Sequence, residues 1–308
     1  MVNSLKIKKI AIIVGGLSGE FEVSIKTGKQ VENTLKEKYI TKTINVSDNL
    51  NEFINDLNSF KPDIVFNALH GKFGEDGQVQ SILNLLKTPY THSGVTSSSI
   101  GMDKFLSKLV FKQKGILCPP GIKTTIKDME NIELKASHIL KPINGGSSLG
   151  IYKIDPENTN EISVLLKNHK DDQEVLLEEF IPGREITVGI LDEKICGITE
   201  IVSKFDFYDY KSKYIDVASH IQNPIISKKI RNKLYENSLL AHNTLGCNCI
   251  SRCDFRYNED KEEVYLLEIN TQPGLTESSL LPEMALANGT SFLELCEILV
   301  VNAKCERF

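Results

Sequence analysis

No apolar run in the 308 residues approaches the length of a membrane span, and Met1 to Ile10 carries no signal-peptide pattern. Both absences predict a soluble, cytoplasmic protein with no membrane partner. No CxxC pair occurs, and the seven cysteines are an odd number without framework spacing. Although Cys247, Cys249 and Cys253 are near neighbours, reduced and mostly buried thiols fit better than a disulfide scaffold or a zinc site. The formal net charge is −5, whereas a nucleic-acid or anionic-membrane surface calls for basic excess. GxGxxG is missing, and no residue suited to reading a ribose follows the second predicted strand, which weighs against a dinucleotide oxidoreductase. A Walker loop is missing too, because no Gly-Lys-Ser/Thr follows a glycine-rich turn. Internal repeats and low-complexity segments are absent.

What is present is a globular composition, long enough for two or three compact units. Lys8 to Val14 reads as an apolar strand, and a helix follows Gly15–Gly16–Leu17–Ser18–Gly19–Glu20 through about Lys36. Tyr39 to Val46 reads as a second strand, Leu50, Phe53, Ile54 and Leu57 have helical spacing, and Asp63 to Leu69 reads as a third strand. Val79, Ile82, Leu83 and Leu86 mark another helix. This alternation predicts a parallel, Rossmann-like sheet with its functional loops at the carboxyl ends of the strands. The turn at Gly15 is either a tight connection that binds nothing or a ligand loop. The loop from His70 to Gly77 interleaves three glycines with His, Lys, Glu and Asp, so it presents polar groups on a pliable backbone.

Ser93 to Ile100 is small and polar, which predicts a boundary, and a helix containing Met102–Asp103–Lys104 follows until Gly115 and Pro119–Pro120. A small α+β unit runs from Gly121 to about Phe180. In it, strands at Ser137–Pro142 and Leu149–Ile154 flank Asn144–Gly145–Gly146–Ser147–Ser148. That loop is as well suited to a plain hairpin turn as to an anion cover. Glu174 to Phe180 is a strand ending in Glu178–Glu179, an acid pair that on its own reads as a solvated strand end. Strands follow at Ile186–Leu191 and Lys194–Ile201. Phe205 to Tyr214 mixes aromatics and charges without a period, as a lid over a ligand would. A helix from about Ser227 to Leu245 stops at Gly246, and Ser291 with Glu294 forms a capping box for a final, structural helix.

The most informative stretch is Val264 to Asn270. Its apolar start reads as a buried strand, yet Glu268 and Asn270 share one face of its end. Upstream, Ser251 to Tyr257 likewise places Arg252 and Asp254 on one face. Paired as a hairpin, the two segments gather Asp254, Glu268 and Asn270 into a hard-oxygen cluster beside a cation, which suits Mg²⁺ and phosphate.

Taken together these segments resemble the D-alanine–D-alanine ligases of the ATP-grasp family. The resemblance runs from Gly15 to about Leu299. It is carried by Gly-Gly-x-Ser-x-Glu-x-Glu-Val-Ser, His-Gly-x-x-Gly-Glu-Asp-Gly, Met-Asp-Lys, Lys-Pro with Gly-Ser-Ser-x-Gly, Tyr-Asp-Tyr-x-x-Lys-Tyr, Ser-Arg-x-Asp-Phe and Leu-Glu-x-Asn-Thr-x-Pro-Gly. It implies a chain of α/β and α+β units: a Rossmann-like domain over residues 1–93, followed by ATP-grasp subdomains over 94–181 and 182–308. The implied reaction joins two D-alanines at the expense of ATP, through an acylphosphate and a tetrahedral intermediate, for peptidoglycan synthesis.

Residue by residue, the resemblance makes Asp254, Glu268 and Asn270 the ligands of two Mg²⁺ ions, for which Mn²⁺ can substitute. Lys104, Lys141 and Lys213 become phosphate contacts, and Gly146, Ser147 and Ser148 the loop over the terminal phosphates. Glu178, Glu179 and Ile181 become the adenine hinge, which reverses the solvated reading of the acid pair, and Glu185 the ribose acceptor. Glu20 would bind the first D-alanine's ammonium with His70 nearby, while Arg252 and the Gly274 N–H would stabilise the oxyanion. Ser279 and Leu280 would hold the second D-alanine's carboxylate, and Tyr214, linked with Ser147 and Glu20, would close the lid. A homodimer is also implied. Gly145 departs from the acidic residue common before the serines, and Ile215 to Ile225 matches poorly. A D-lactate- or D-serine-accepting ligase, and a nucleotide-binding homologue without catalysis, are the rival readings. The first rival is disfavoured by Lys213–Tyr214, and the second by the full set of charged residues.

Overall fold

The apolar run Lys9–Gly15 forms strand β1 at the centre of a three-stranded sheet, between β2 (Ile40–Val46) and β3 (Ile64–Asn67), and both pairings are parallel. Alternation along β1 feeds two cores. Ile10, Ile12 and Val14 pack with helix α1 (Phe21–Leu35), while Ala11 and Ile13 pack with α2 (Leu50–Phe60) and α3 (Gln78–Leu85). This is the computed structural model of residues 7–145, 150–157, 170–202, 219–276 and 278–306, with backbone alone at 130 and 131. Among these residues no single helix is long and apolar enough to cross a membrane.

Two antiparallel sheets follow. The smaller has the order β4 (Gly121–Thr125), β7 (Glu174–Glu179), β5 (His138–Pro142), β6 (Tyr152–Ile154). The larger has the order β10 (Ser219–Gln222), β9 (Lys194–Val202), β8 (Arg184–Leu191), β11 (Ile250–Asn258), β12 (Glu263–Asn270). Helices α5 (Lys104–Gln113) and α6 (Lys228–Leu245) cover its back, where Phe111, Leu234, Val188, Phe255 and Leu266 form one core. The last two helices, α7 (Leu280–Ala287) and α8 (Phe292–Val301), return to the first sheet: Leu281, Leu295 and Leu299 join the Ile10–Ile12–Val14 core. The expected capping box of Ser291 and Glu294 starts α8.

The small, polar segment Ser93–Ile100 leads into a helix, α4 (Val95–Met102). Its small side chains serve close packing: Ser97 Oγ donates to the Leu245 and Gly246 carbonyls at 2.8 Å, capping the end of α6. Met102–Asp103–Lys104 is not continuous helix. Asp103 is extended, and its Oδ1 accepts from the Leu106 N–H at 2.8 Å, so it ends α4 and caps α5. The strand expected from Leu149 begins at Tyr152, Leu149 lying outside the described residues.

Candidate active site

The hairpin anticipated from the two charged strand ends is present. Across β11 and β12, Arg252 pairs with Asn270 and Asp254 with Glu268, with a bulge just after Asp254. Alternation puts all four on one face. Asp254 and Glu268 of that face, with Lys141 and Glu178 from the smaller sheet and Ile181 just beyond it, line a cleft open to solvent between the two antiparallel sheets, and Glu268 also borders a smaller pocket with Lys104 and Asn270.

Each acid on this face meets a cation. Arg252 grips Asp254 bidentately, Nε to Oδ1 at 2.9 Å and Nη2 to Oδ2 at 2.7 Å, and Thr187 Oγ1 donates to Oδ1 at 2.6 Å. Lys104 Nζ lies 3.1 Å from Glu268 and donates to the Gly145 carbonyl at 2.6 Å. Burial would raise the Glu268 carboxyl, but Lys104, Lys141 and Arg252 hold it well below the usual carboxylate range. Asn270 Oδ1 accepts from the Gln272 N–H at 2.8 Å. Among the described residues no group of three or more His, Cys, Asp or Glu could hold a metal. Two carboxylates and one amide oxygen are nevertheless a donor set that Mg²⁺ accepts when phosphate oxygens complete its octahedron.

The solvated reading of Glu178 fails: the residue is 2% exposed. Its carboxylate accepts from Lys108 Nζ and, at 2.7 Å, from Lys141 Nζ. Burial would raise the Glu178 carboxyl, yet Lys141 and Lys108 keep it below its ordinary value. Burial pulls the Lys108 ammonium down to about 8, aided by Lys141 and opposed by Glu178. At Lys141 burial is outweighed by Glu178 and Glu268, and the ammonium is raised. Farther along the cleft, Arg256 Nε donates to the Ile181 carbonyl at 3.0 Å, and its Nη1 is 3.5 Å from Glu185. Burial, with help from Asp254 and Glu268, pushes the Glu185 carboxyl up to about 7 against the pull of Arg256. The Glu179 N–H donates to the Pro120 carbonyl at 2.8 Å.

At the opposite end, Gln272 continues β12 toward the first sheet. Its Oε1 accepts from Asn67 Nδ2 at 2.8 Å and its Nε2 donates to the Leu69 carbonyl at 2.5 Å, which ties β12 to the end of β3 and the loop after it. In that loop His70 contacts Thr27 Oγ1 at 3.0 Å and Glu75 Oε1 at 3.2 Å, and Ser18 Oγ donates to its carbonyl at 2.6 Å. Glu20 precedes α1 with its carboxylate against Gly71, where an added Cβ would sit 2.8 Å from Oε2. Gly274 similarly abuts Ser279, whose Oγ would be 2.9 Å from a Cβ there. Ser279 is the N-cap of α7 with Leu280 the first helical residue, but its hydroxyl serves the turn, accepting from the Thr276 N–H at 3.0 Å.

Thus Lys104, Lys141, Glu178, Ile181, Glu185, Arg252, Asp254, Glu268 and Asn270 converge on neighbouring faces, and Glu20 adjoins the His70 loop. Gly146, Ser147, Ser148, Lys213 and Tyr214 lie outside the described residues. Sequence reading missed Lys108, Gln272 with Asn67, Thr27 and Arg256. Lys108 falls four residues after Lys104, so helical spacing puts it one turn on along the same helix face, and this was the available signal.

Residues 49–93 match the family model for the N-terminus of D-Ala–D-Ala ligases, and residues 121–301 match the model for their C-terminus. A D-alanine–D-alanine ligase of Pelagibacter ubique is 43% identical, covering 97% of this chain and 99% of that one. The crystal structure of the Bacillus anthracis D-alanine–D-alanine ligase complexed with ATP superposes with a TM-score of 0.79 at 30% identity, covering 96% of each chain. The VanG D-Ala:D-Ser ligase of Enterococcus faecalis superposes with a TM-score of 0.78 at 28% identity, over 96% of this chain and 99% of that one. With both terminal models matched and near-complete coverage, the chain belongs to the D-alanine–D-alanine ligase family.

Proposed function

We propose that this protein is an ATP-dependent ligase that joins two D-alanines into D-alanyl-D-alanine for peptidoglycan synthesis. The observation that carries the reading is the convergence of Asp254, Glu268 and Asn270 with Lys104 and Lys141 around Glu268, which borders both the inter-sheet cleft and the pocket of Lys104 and Asn270, with Glu20 against Gly71 and Gly274 against Ser279 as a second centre. The first centre suits a triphosphate and the second an amino acid.

The adenine sits against the Glu178–Ile181 hinge with Glu179 at its edge, and Glu185 accepts a ribose hydroxyl. Asp254, Glu268 and Asn270 would hold two Mg²⁺, or Mn²⁺, which would neutralise charge on the ATP phosphates. Lys104 and Lys141 add point charges on the same phosphates. Glu20 binds the ammonium of the first D-alanine beside His70, orienting its carboxylate toward the γ-phosphorus. Transfer releases ADP and leaves D-alanyl phosphate. The second D-alanine, its carboxylate held at Ser279 and Leu280, then attacks the carbonyl through its amine. The resulting oxyanion is met by Arg252 and the Gly274 N–H, and loss of the attacking amine's proton to solvent with collapse to expel phosphate leaves the neutral amide. Gly146, Ser147 and Ser148 cover the phosphates, while Lys213 and Tyr214 complete the enclosure.

The same reading gives a cytoplasmic homodimer of chains divided near residues 93 and 181, acting on free D-alanine and ATP. Phosphate release with Mg²⁺ and ATP should depend on D-alanine, and D-serine or D-lactate should compete poorly at neutral pH. Preferential use of D-serine or D-lactate would move the chain to the rival acceptor class. No amino-acid-dependent release would support a binding role without catalysis.

A further inference from the structure

The proposed mechanism leaves one buried charge without a task. Lys108, on α5, is 4% exposed and reaches one oxygen of Glu178, whose other oxygen takes Lys141. Lys141 lines the nucleotide cleft, whereas Lys108 stands behind Glu178, away from it. A Lys141–Glu178 pair would already be neutral and mutually satisfied. Adding a second buried ammonium to it is costly unless the extra charge meets an anion in the working state. Glu268, the other acid facing Lys141, is matched by Lys104, while Asp254 is matched by Arg252 and Glu185 by Arg256. Counting these paired groups in their charged forms, Lys108 is the one cation in excess among them; Glu179, which also lines the cleft, is solvent-exposed.

We propose that Lys108 is a positioning residue that occupies Glu178 and so frees the charge of Lys141 for the phosphates of the nucleotide. With Lys108 absent, Glu178 cancels Lys141 and the phosphates meet a neutral pair. This rests on the reading that Lys141 contacts the ATP phosphates.

The test is calorimetric binding of Mg·ATP and of adenosine, without D-alanine, to the full chain and its variants, each checked for folding by circular dichroism. K108M should weaken ATP about tenfold, the scale of one lost charge in a partly screened cleft, and leave adenosine unchanged. K108R should keep ATP affinity. K108M/E178Q restores the net charge but also changes the adenine hinge, so it is read as the ratio of ATP to adenosine affinity, which should return to within about threefold of the parent's. Where K108M does not fold, K108Q replaces it, retaining a donor to Glu178 without charge. Equal loss of ATP and adenosine in K108M, or no recovery in the double variant, would overturn the proposal in favour of packing. K141M reports separately: if it leaves ATP affinity intact, the phosphate reading of Lys141 fails.

Discussion

Asp254 and Glu268 face each other directly across the β11–β12 ladder, and each is held by its own cation, Arg252 and Lys104. On the proposed function these acids would release their cations to take up metal, so that binding would exchange one set of partners for another. Glu268→Gln should leave the fold intact and lower turnover by about two orders of magnitude or more, since a metal ligand loses its charge. The Mg²⁺ concentration for half-maximal ATP binding should rise with it. Steady-state kinetics and calorimetry check both, and near-normal turnover would show that the metal assignment is wrong.

Ser279 organises the turn that brings Gly274 to the start of α7, through contacts to the Thr276 N–H at 3.0 Å and hydroxyl at 2.8 Å. Ser279→Ala should therefore loosen the acceptor subsite. The expected outcome is a KM for the second D-alanine raised about tenfold, with the KM for ATP nearly unchanged. Initial-rate analysis over both D-alanine sites separates the two.

Gly183, between the hinge and β8, has φ +114°, and a Cβ there would lie 2.1 Å from the Tyr257 carbonyl. Neither that φ nor that approach suits another residue. Gly183→Ala should destabilise the chain by about 2–3 kcal/mol in urea unfolding. A loss below about 0.5 kcal/mol would contradict the close packing of hinge on β11.

His242 is buried, with Nδ1 2.7 Å from Ser251 Oγ and Nε2 3.1 Å from Glu193. Burial lowers its protonation below the ordinary 6.5, although Glu193 partly opposes this. The unfolded chain thus binds that proton more readily. Stability should fall as pH drops through about 6.5 toward the lower folded value, by at most about 1.4 kcal/mol per pH unit from this group. His242→Gln should flatten that part of the profile in urea titrations between pH 5 and pH 7, while the slope persists if other groups set it.

What was legible in the sequence was local. The run Ile10 to Val14, the same-face acids Asp254 and Glu268 on their paired strands, and the capping box at Ser291 each announce themselves within a few residues, and all stand where expected. Long-range matches were not legible. Ser97 caps a helix end 149 residues away at Gly246, so α4 reads as a polar linker until α6 is beside it. Glu178 reads as solvated until Lys108, 70 residues earlier in the chain, closes over it. Gln272 and Asn67, 205 residues apart, join the strand to the His70 loop by an amide pair that leaves no local pattern. A polar residue's burial depends on its partner, and sequence spacing carries the partner only within one element.

The most direct test of the ligase reading is the stoichiometry of the reaction with ATP, Mg²⁺ and D-alanine as the sole amino acid, with products separated chromatographically. The account predicts one ADP, one phosphate and one D-alanyl-D-alanine formed for every two D-alanines consumed. Phosphate release without dipeptide, or release independent of D-alanine, would contradict it.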